Sequence, residues 1–171
     1  MSWSQRLTIE PLSRQHDRAS FRCGAAALDD YIGRQASQDI RRRVSQVFVA
    51  TRPNRKAILG FYSLSAGSIE KDALPERVAH RLPHYPVPVA VLGRLAVALA
   101  HQGAGLGSIL LANACKRVIQ ASGDVAMMAI VVDAKDQAAI RFYERFGFEM
   151  LPDMERRMFL TLKTIHALLQ T

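Results

Sequence analysis

Between residues 101 and 118 the chain reads HQGAGLGSILLANACKRV, with three glycines in five positions running straight into good helix formers. Glycine at that density, just ahead of a helix, lets the backbone approach a partner closely or take a positive φ. The preceding run, VAVLGRLAVAL (89–99), is strongly β-prone, and VAMMAIVVDA (125–134) is a continuous apolar run of the kind buried on both faces. The helix between them spans about 106–121. Leu106, Leu110, Ala114 and Val118 recur at i, i+4, Lys116 and Arg117 lie near its negative C-terminal end, and Gly123 stops it. Strand, glycine turn, helix and buried strand in that order restrict the chain to the α/β class.

The flanking segments extend the pattern. LTIEPL near the start alternates like a strand, and Asp17 to about Arg43 reads as one or two helices weakened at Gly24 and Gly33. QVFVAT (46–51), the turn RPNRK and ILGFYSLSAGSI (58–69) form a β-hairpin pattern, and residues 70–82 suit a short helix. Pro83, Pro86 and Pro88 forbid helix in LPHYPVPV. A second helix is expected from about Asp136 to Phe146 with Gly147 at C′, and MFLTLKTI (158–165) as a last strand. The order β-α-α-β-β then β-α-β-α-β fits 171 residues in one domain (1–171), with no linker, repeat or low-complexity segment.

Composition narrows the function classes. Apolar residues make up 49% and charged residues 22%, a soluble globular balance, and no apolar run approaches a membrane span. The N-terminus lacks the apolar core of a signal peptide, and the two cysteines, Cys23 and Cys115, have no metal-site spacing. A cytoplasmic protein without a metal or a membrane partner is expected. Lys and Arg number 23 against 15 Asp and Glu, a net charge of +8. Seven basic residues between Arg34 and Lys56 (Arg34, Arg41, Arg42, Arg43, Arg52, Arg55, Lys56) face one acid, Asp39, and a second cluster holds Arg77, His80, Arg81 and His84. Such a field favours polyanions, nucleic acid among them.

The glycine loop can be tested against three phosphate-binding patterns. A P-loop from Gly103 needs glycine at Ser108 and a lysine after it, and a dinucleotide fingerprint needs glycine at the same Ser108. Both fail. Q-x-x-G-x-G is filled at Gln102, Gly105 and Gly107. In that arrangement the N–H groups of the loop and first helical turn, with the positive helix end, bind a pyrophosphate. A Cβ at Gly105 or Gly107 would block the phosphate or demand a forbidden φ.

With this loop the chain resembles the GNAT N-acetyltransferases, whose pyrophosphate loop for acetyl-CoA has the same pattern. LGRLAV ahead of the loop is similar to the family's central strand, and KDQAAIRFYERFGF (135–148) to its N-x-x-A-x-x-x-Y-x-x-x-G-F segment. Ala139, Tyr143, Gly147 and Phe148 match, and Asp136 stands at the Asn position, able to accept but not to donate as an amide. The resemblance implies a single GNAT-fold domain, a mixed twisted sheet flanked by helices, with acetyl-CoA as co-substrate. It places the cofactor on Leu95, Ala96, Val97, Gln102, Gly103, Ala104, Gly105, Leu106, Gly107, Ser108, Asp136, Ala139 and Phe142. Acetyl transfer needs a polarised carbonyl, which strand N–H groups such as that of Val97 supply, and a proton for the leaving thiolate. Tyr143 suits that role because a phenol keeps its proton at neutral pH. Tyr143 also shares an apolar helix face with Ala139, Ile140 and Phe146, where it would be a core residue. No general base stands out among Glu70, Glu76, His80 and His84.

FRCGAAALDDYIGRQASQDIRRRVSQVFVA, FYSLSAGSI and LPHYPVPVAVLGRLAV are similar to one GNAT branch, the toxins of type II toxin–antitoxin pairs. That branch acetylates the α-amino group of aminoacyl-tRNA and so blocks translation. The resemblance implies tRNA contacts from the basic clusters (Arg41, Arg42, Arg43, Arg77, Arg81) and a ribbon-helix-helix antitoxin. It also implies operator DNA bound through the toxin–antitoxin complex, and a toxin homodimer. An α-amine on an aminoacyl ester is less basic than a lysine, which lessens the need for a base. Two alternatives stay open from the residues: a GNAT enzyme for a small amine or protein N-terminus, and a non-catalytic basic nucleic-acid-binding corepressor.

Overall fold

A computed structural model of the chain describes residues 6–170. Seven strands hydrogen-bond in the order β1-β2-β3-β4-β5-β7-β6. They are β1 (Thr8–Pro11), β2 (Gln46–Thr51), β3 (Gly60–Ile69), β4 (Val87–Val97), β5 (Ala129–Asp133), β6 (Glu149–Met150) and β7 (Arg157–Thr161). β1–β2 and β2–β3 are antiparallel, β4–β5 is parallel, and β5–β7 and β6–β7 are antiparallel, so the sheet is mixed. The helices are α1 (Ala26–Asp30), α2 (Ala36–Arg41), α3 (Glu76–Ala79), α4 (Leu106–Ala121), α5 (Gln137–Phe146) and α6 (Leu162–Leu169).

The described residues form two compact units that interleave along the chain: residues up to Ser65 with Gly93–Ala114, and Ala66–Leu92 with the chain from Cys115 onward. β3, β4 and α4 each contribute to both. In the first unit Phe21, Cys23, Tyr31, Ile32, Val47, Val49, Phe61 and Ala96 form the buried core. Gly60 keeps β3 close to its neighbours. A Cβ there would stand 2.9 Å from the carbonyl oxygen of Ala96 and 2.8 Å from Leu110 Cδ1. In the second unit Ile69, Leu74, Val87, Val89, Ala129, Val131, Leu151 and Phe159 form the core. Burying such β-branched and aromatic side chains contributes about 1.5–3 kcal/mol each.

Several expected boundaries move, each for a local reason. The helix expected from Asp17 begins only at Ala26. Asp17 bridges to Ala57 and its Oδ1 accepts from the Ser20 N–H at 3.3 Å, and Gly24 bends at φ +93°, so residues 17–25 are irregular. α1 and α2 are joined through a π-turn, Tyr31–Gln35, at the weak point Gly33. β4 runs 87–97 rather than 89–99, accommodating exposed Pro88 and ending where Leu99–His101 form a 3₁₀ turn. β5 covers only the end of the 125–134 run, because the N–H of Val125 still bonds to Ala121 at the end of α4. MFLTLKTI is split: β7 ends at Thr161, whose hydroxyl accepts from the Thr164 N–H at 3.2 Å and caps α6.

Candidate active site

The glycine loop belongs to the first unit. Gly103 and Gly105 sit at φ +80° and +85°, and no protein atom lies within 4 Å of a Cβ built on either. The positive φ excludes other residues there without strain. Gly107 is already the second residue of α4 and has no positive φ, so of the two expected reasons for glycine there only room for the phosphate remains. Leu106 is buried and anchors the start of α4. The first-turn N–H groups of Leu106, Gly107 and Ser108 have no acceptor within the helix. Open space over two glycines, beside a positive helix end, fits a pyrophosphate.

Gln102 does something the spacing does not reveal. Its side-chain Nε2 donates to the carbonyl of Cys23 at 2.8 Å and to that of Val97 at 2.9 Å. The glutamine thus ties the loop back to the strand it leaves and to the segment ahead of α1, with its N–H donors spent on protein. Leu99 adds a second tie, its N–H bonding to Arg22 at 2.9 Å. On β4, Ala96 is buried while Leu95 and Val97 are half-buried. The register between β4 and β5 runs from Val89↔Ala129 to Leu92↔Val132, so Leu95–Val97 lie beyond the paired residues.

Tyr143 belongs to the second unit, on α5. Its ring is 8% exposed and meets Phe142 at 5.1 Å and Phe148 at 5.3 Å, both edge-to-face. Burial pushes its phenol up to about 12. Among the described residues no buried side-chain oxygen or nitrogen lacks a partner. The packed ring is what the core reading of Tyr143 expects. Asp136 is the N-cap of α5, its Oδ1 accepting from the Ala139 N–H at 2.8 Å. Gly147 closes the helix at φ +109°, where the N–H of Phe148 bonds to the Tyr143 carbonyl.

The expected basic residues differ in their surroundings. Arg41, Arg42 and Arg43 are exposed at the end of α2, and none is in an ion pair among the described residues. Arg43 stands at φ 61°, at the C′ position of a turn in which the Val44 N–H reaches back to Asp39 and that of Arg43 to Ile40. Arg77 is ion-paired with Glu149, and Arg81 Nε donates to His80 at 3.2 Å. Among the described residues no group of His, Cys, Asp and Glu has metal-site geometry. No helix among them is long and apolar enough to cross a membrane.

The match to known proteins is extensive. The acetyltransferase (GNAT) family model matches residues 15–148, and the chain belongs to that family. A Mycobacterium tuberculosis protein named tRNA-acetylating toxin is 39% identical over 158 residues, covering 92% of this chain and 93% of that protein. The solved structure of AtaT complexed with acetyl-methionyl-tRNAfMet superposes with a TM-score of 0.89 at 30% identity, covering 95% of this chain and 99% of that one. A mutant AtaT toxin bound to the C-terminus of the antitoxin AtaR and acetyl-CoA gives 0.81 at 27% identity, covering 96% and 99%. The chain is therefore a GNAT acetyltransferase with a mixed seven-stranded sheet flanked by helices.

Proposed function

We propose that this chain is the toxin of a type II toxin–antitoxin pair and transfers the acetyl group of acetyl-CoA to the α-amine of aminoacyl-tRNA. The observation that carries the chemistry is the presence, in one chain, of an open positive-φ glycine turn at the start of α4 and a buried phenol that keeps its proton. The full-length likeness to a tRNA-acetylating toxin supports the acceptor.

Acetyl-CoA supplies a thioester carbonyl and a thiolate leaving group. In this reading the N–H groups of Leu106, Gly107 and Ser108 hold the pyrophosphate, and Gly103, Ala104 and Gly105 let it come close. The main chain of Leu95–Val97 orients the pantetheine, and the Val97 N–H polarises the carbonyl oxygen. Asp136, Ala139 and Phe142 add contacts from the first half of α5. Gln102 acts through the loop, by holding its shape. As the amine nitrogen forms the amide bond and the C–S bond breaks, Tyr143 passes its proton to the sulfur, and water takes the proton lost by the amine. A phenol at about 12 is protonated throughout the physiological range, so the donor form is always present.

Arg41, Arg42 and Arg43 are the RNA contacts this reading favours, through phosphates and with strong salt dependence. A cytoplasmic setting, a ribbon-helix-helix antitoxin seated through its C-terminal segment, operator DNA bound through that complex and a homodimer belong to the same proposal. The test is transfer of labelled acetyl groups to charged tRNA, uncharged tRNA, a polyamine and a peptide. Label on charged tRNA alone is the expected result. Label on the polyamine or peptide instead overturns the acceptor, and no transfer to any of them overturns the enzymatic reading.

A further inference from the structure

Arg94 is a cation that neither the loop nor the arginine turn uses. It lies on β4, and its guanidinium carbon sits 3.6 Å from the centroid of the Tyr31 ring. Tyr31 is 1% exposed and fixed on both sides. Its ring stacks on Phe61 (6.2 Å, 22°), and its hydroxyl donates to Asp39 Oδ2 at 3.1 Å. Arg94 is therefore held against the face of a fixed ring, which sets where its donors sit. Among the described residues Arg94 makes no ion pair, Asp39 included, and no buried side-chain nitrogen lacks a partner. Arg94 is half-buried, and its guanidinium donors have no carboxylate at ion-pair distance among the described residues.

Two facts say what such a donor edge would meet. Alternation along β4 puts Arg94 on the face of Ala96, toward the helices that end in Arg41–Arg43. At about 3.3 Å per residue, Arg94 is also roughly 10 Å along the strand from Val97. In an aminoacylated RNA, the α-amine and the last phosphodiester are separated by the ester, the ribose and one C–O link, a span of the same order. A planar guanidinium fork matches phosphate oxygens two at a time.

We infer that Arg94, held over the Tyr31 ring, recognises the 3′-terminal phosphodiester of the charged RNA, a subsite distinct from the Arg41–Arg43 turn. This rests on the aminoacyl-tRNA reading. The turn would contact the body of a full-length tRNA, whereas Arg94 would act on the shortest substrate that carries a phosphate.

The test compares two small acceptors, an aminoacylated CCA trinucleotide and an aminoacyl-adenosine lacking phosphate, with full-length charged tRNA as reference. Wild-type protein should prefer the trinucleotide in kcat/KM. Arg94→Gln should reduce that preference by about tenfold or more, the loss of one charge-assisted contact. Arg94→Lys, which keeps a charge without the planar fork, should recover part of it. Equal losses on both small acceptors leave the preference intact. They would show a merely structural role and overturn the inference, as would an Arg94→Gln variant indistinguishable from wild type. Failure of the wild type to acetylate full-length charged tRNA would instead overturn the acceptor reading itself.

Discussion

Asp136 accepts a 2.8 Å hydrogen bond from the backbone N–H of Ala139, closing the first turn of the helix that carries Tyr143. The residue at the family's Asn position therefore caps α5. Asp136→Ala should destabilise the protein by about 1 kcal/mol, while Asp136→Asn, an equally good cap, should change it little. Urea unfolding midpoints measure both. Equal losses for Ala and Asn would rule out the capping role.

Tyr143→Phe should preserve the fold, because the ring contacts with Phe142 and Phe148 survive, and lower acetyl transfer by roughly 10²-fold or more. It also carries a pH signature. The phenol stands at about 12 in the folded chain against an ordinary value of 10.0. A folded value raised above the unfolded one gives stability that is complete below about pH 10 and lost as pH climbs toward 12. Wild-type urea midpoints should therefore fall at alkaline pH more steeply than those of Tyr143→Phe. Parallel curves would contradict the assignment of this titration to Tyr143.

Gly105→Ala tests the loop separately from the packing. The added methyl meets nothing within 4 Å, so the cost is the φ of +85° alone. That is about 1–2 kcal/mol of stability for an L residue. Acetyl-CoA affinity, measured by calorimetry well below the melting temperature, should nevertheless fall sharply. An alanine variant with wild-type affinity would remove the loop from the pyrophosphate site.

Arg43→Gly should move stability and RNA binding in opposite directions. Glycine relieves the left-handed conformation at φ 61°, for a net gain of about 0.5–1 kcal/mol after its extra unfolded-state entropy. The same change should weaken charged-tRNA binding and shallow its salt dependence by about one phosphate contact. Improved stability with unchanged binding would leave Arg43 out of the interface.

Sequence legibility follows from how local each determinant is. α4 is readable at both ends, since a glycine turn and Gly123 bracket an i, i+4 apolar row. α6 is hidden because LTLKTI alternates well enough for a strand, and one hydroxyl, that of Thr161, makes the switch. Asp136 is legible as an acceptor, but its donor turns out to be Ala139, three residues away. Gln102 is legible as a fixed position of a pattern, though not as a tie, because Cys23 and Val97 converge on it only in three dimensions. The Arg94–Tyr31 contact and the need for glycine at position 60 are likewise products of tertiary packing, with no periodicity or spacing to announce them.

The Gln102–Cys23 hydrogen bond spans 79 positions, and the unit it closes is assembled from two stretches of chain with Ala66–Leu92 looped out to the other unit. Order of synthesis is thereby built into the design. A growing polypeptide that has already emerged through Arg43 and Ser65 still lacks β4's end, the loop and the start of α4, so its first core stays incomplete until residue 114 is out. A product truncated before Gly93 would display the arginine turn and hold no donor. On the proposed function, then, no nascent chain can hold acetyl-CoA before the loop and the start of α4 have emerged.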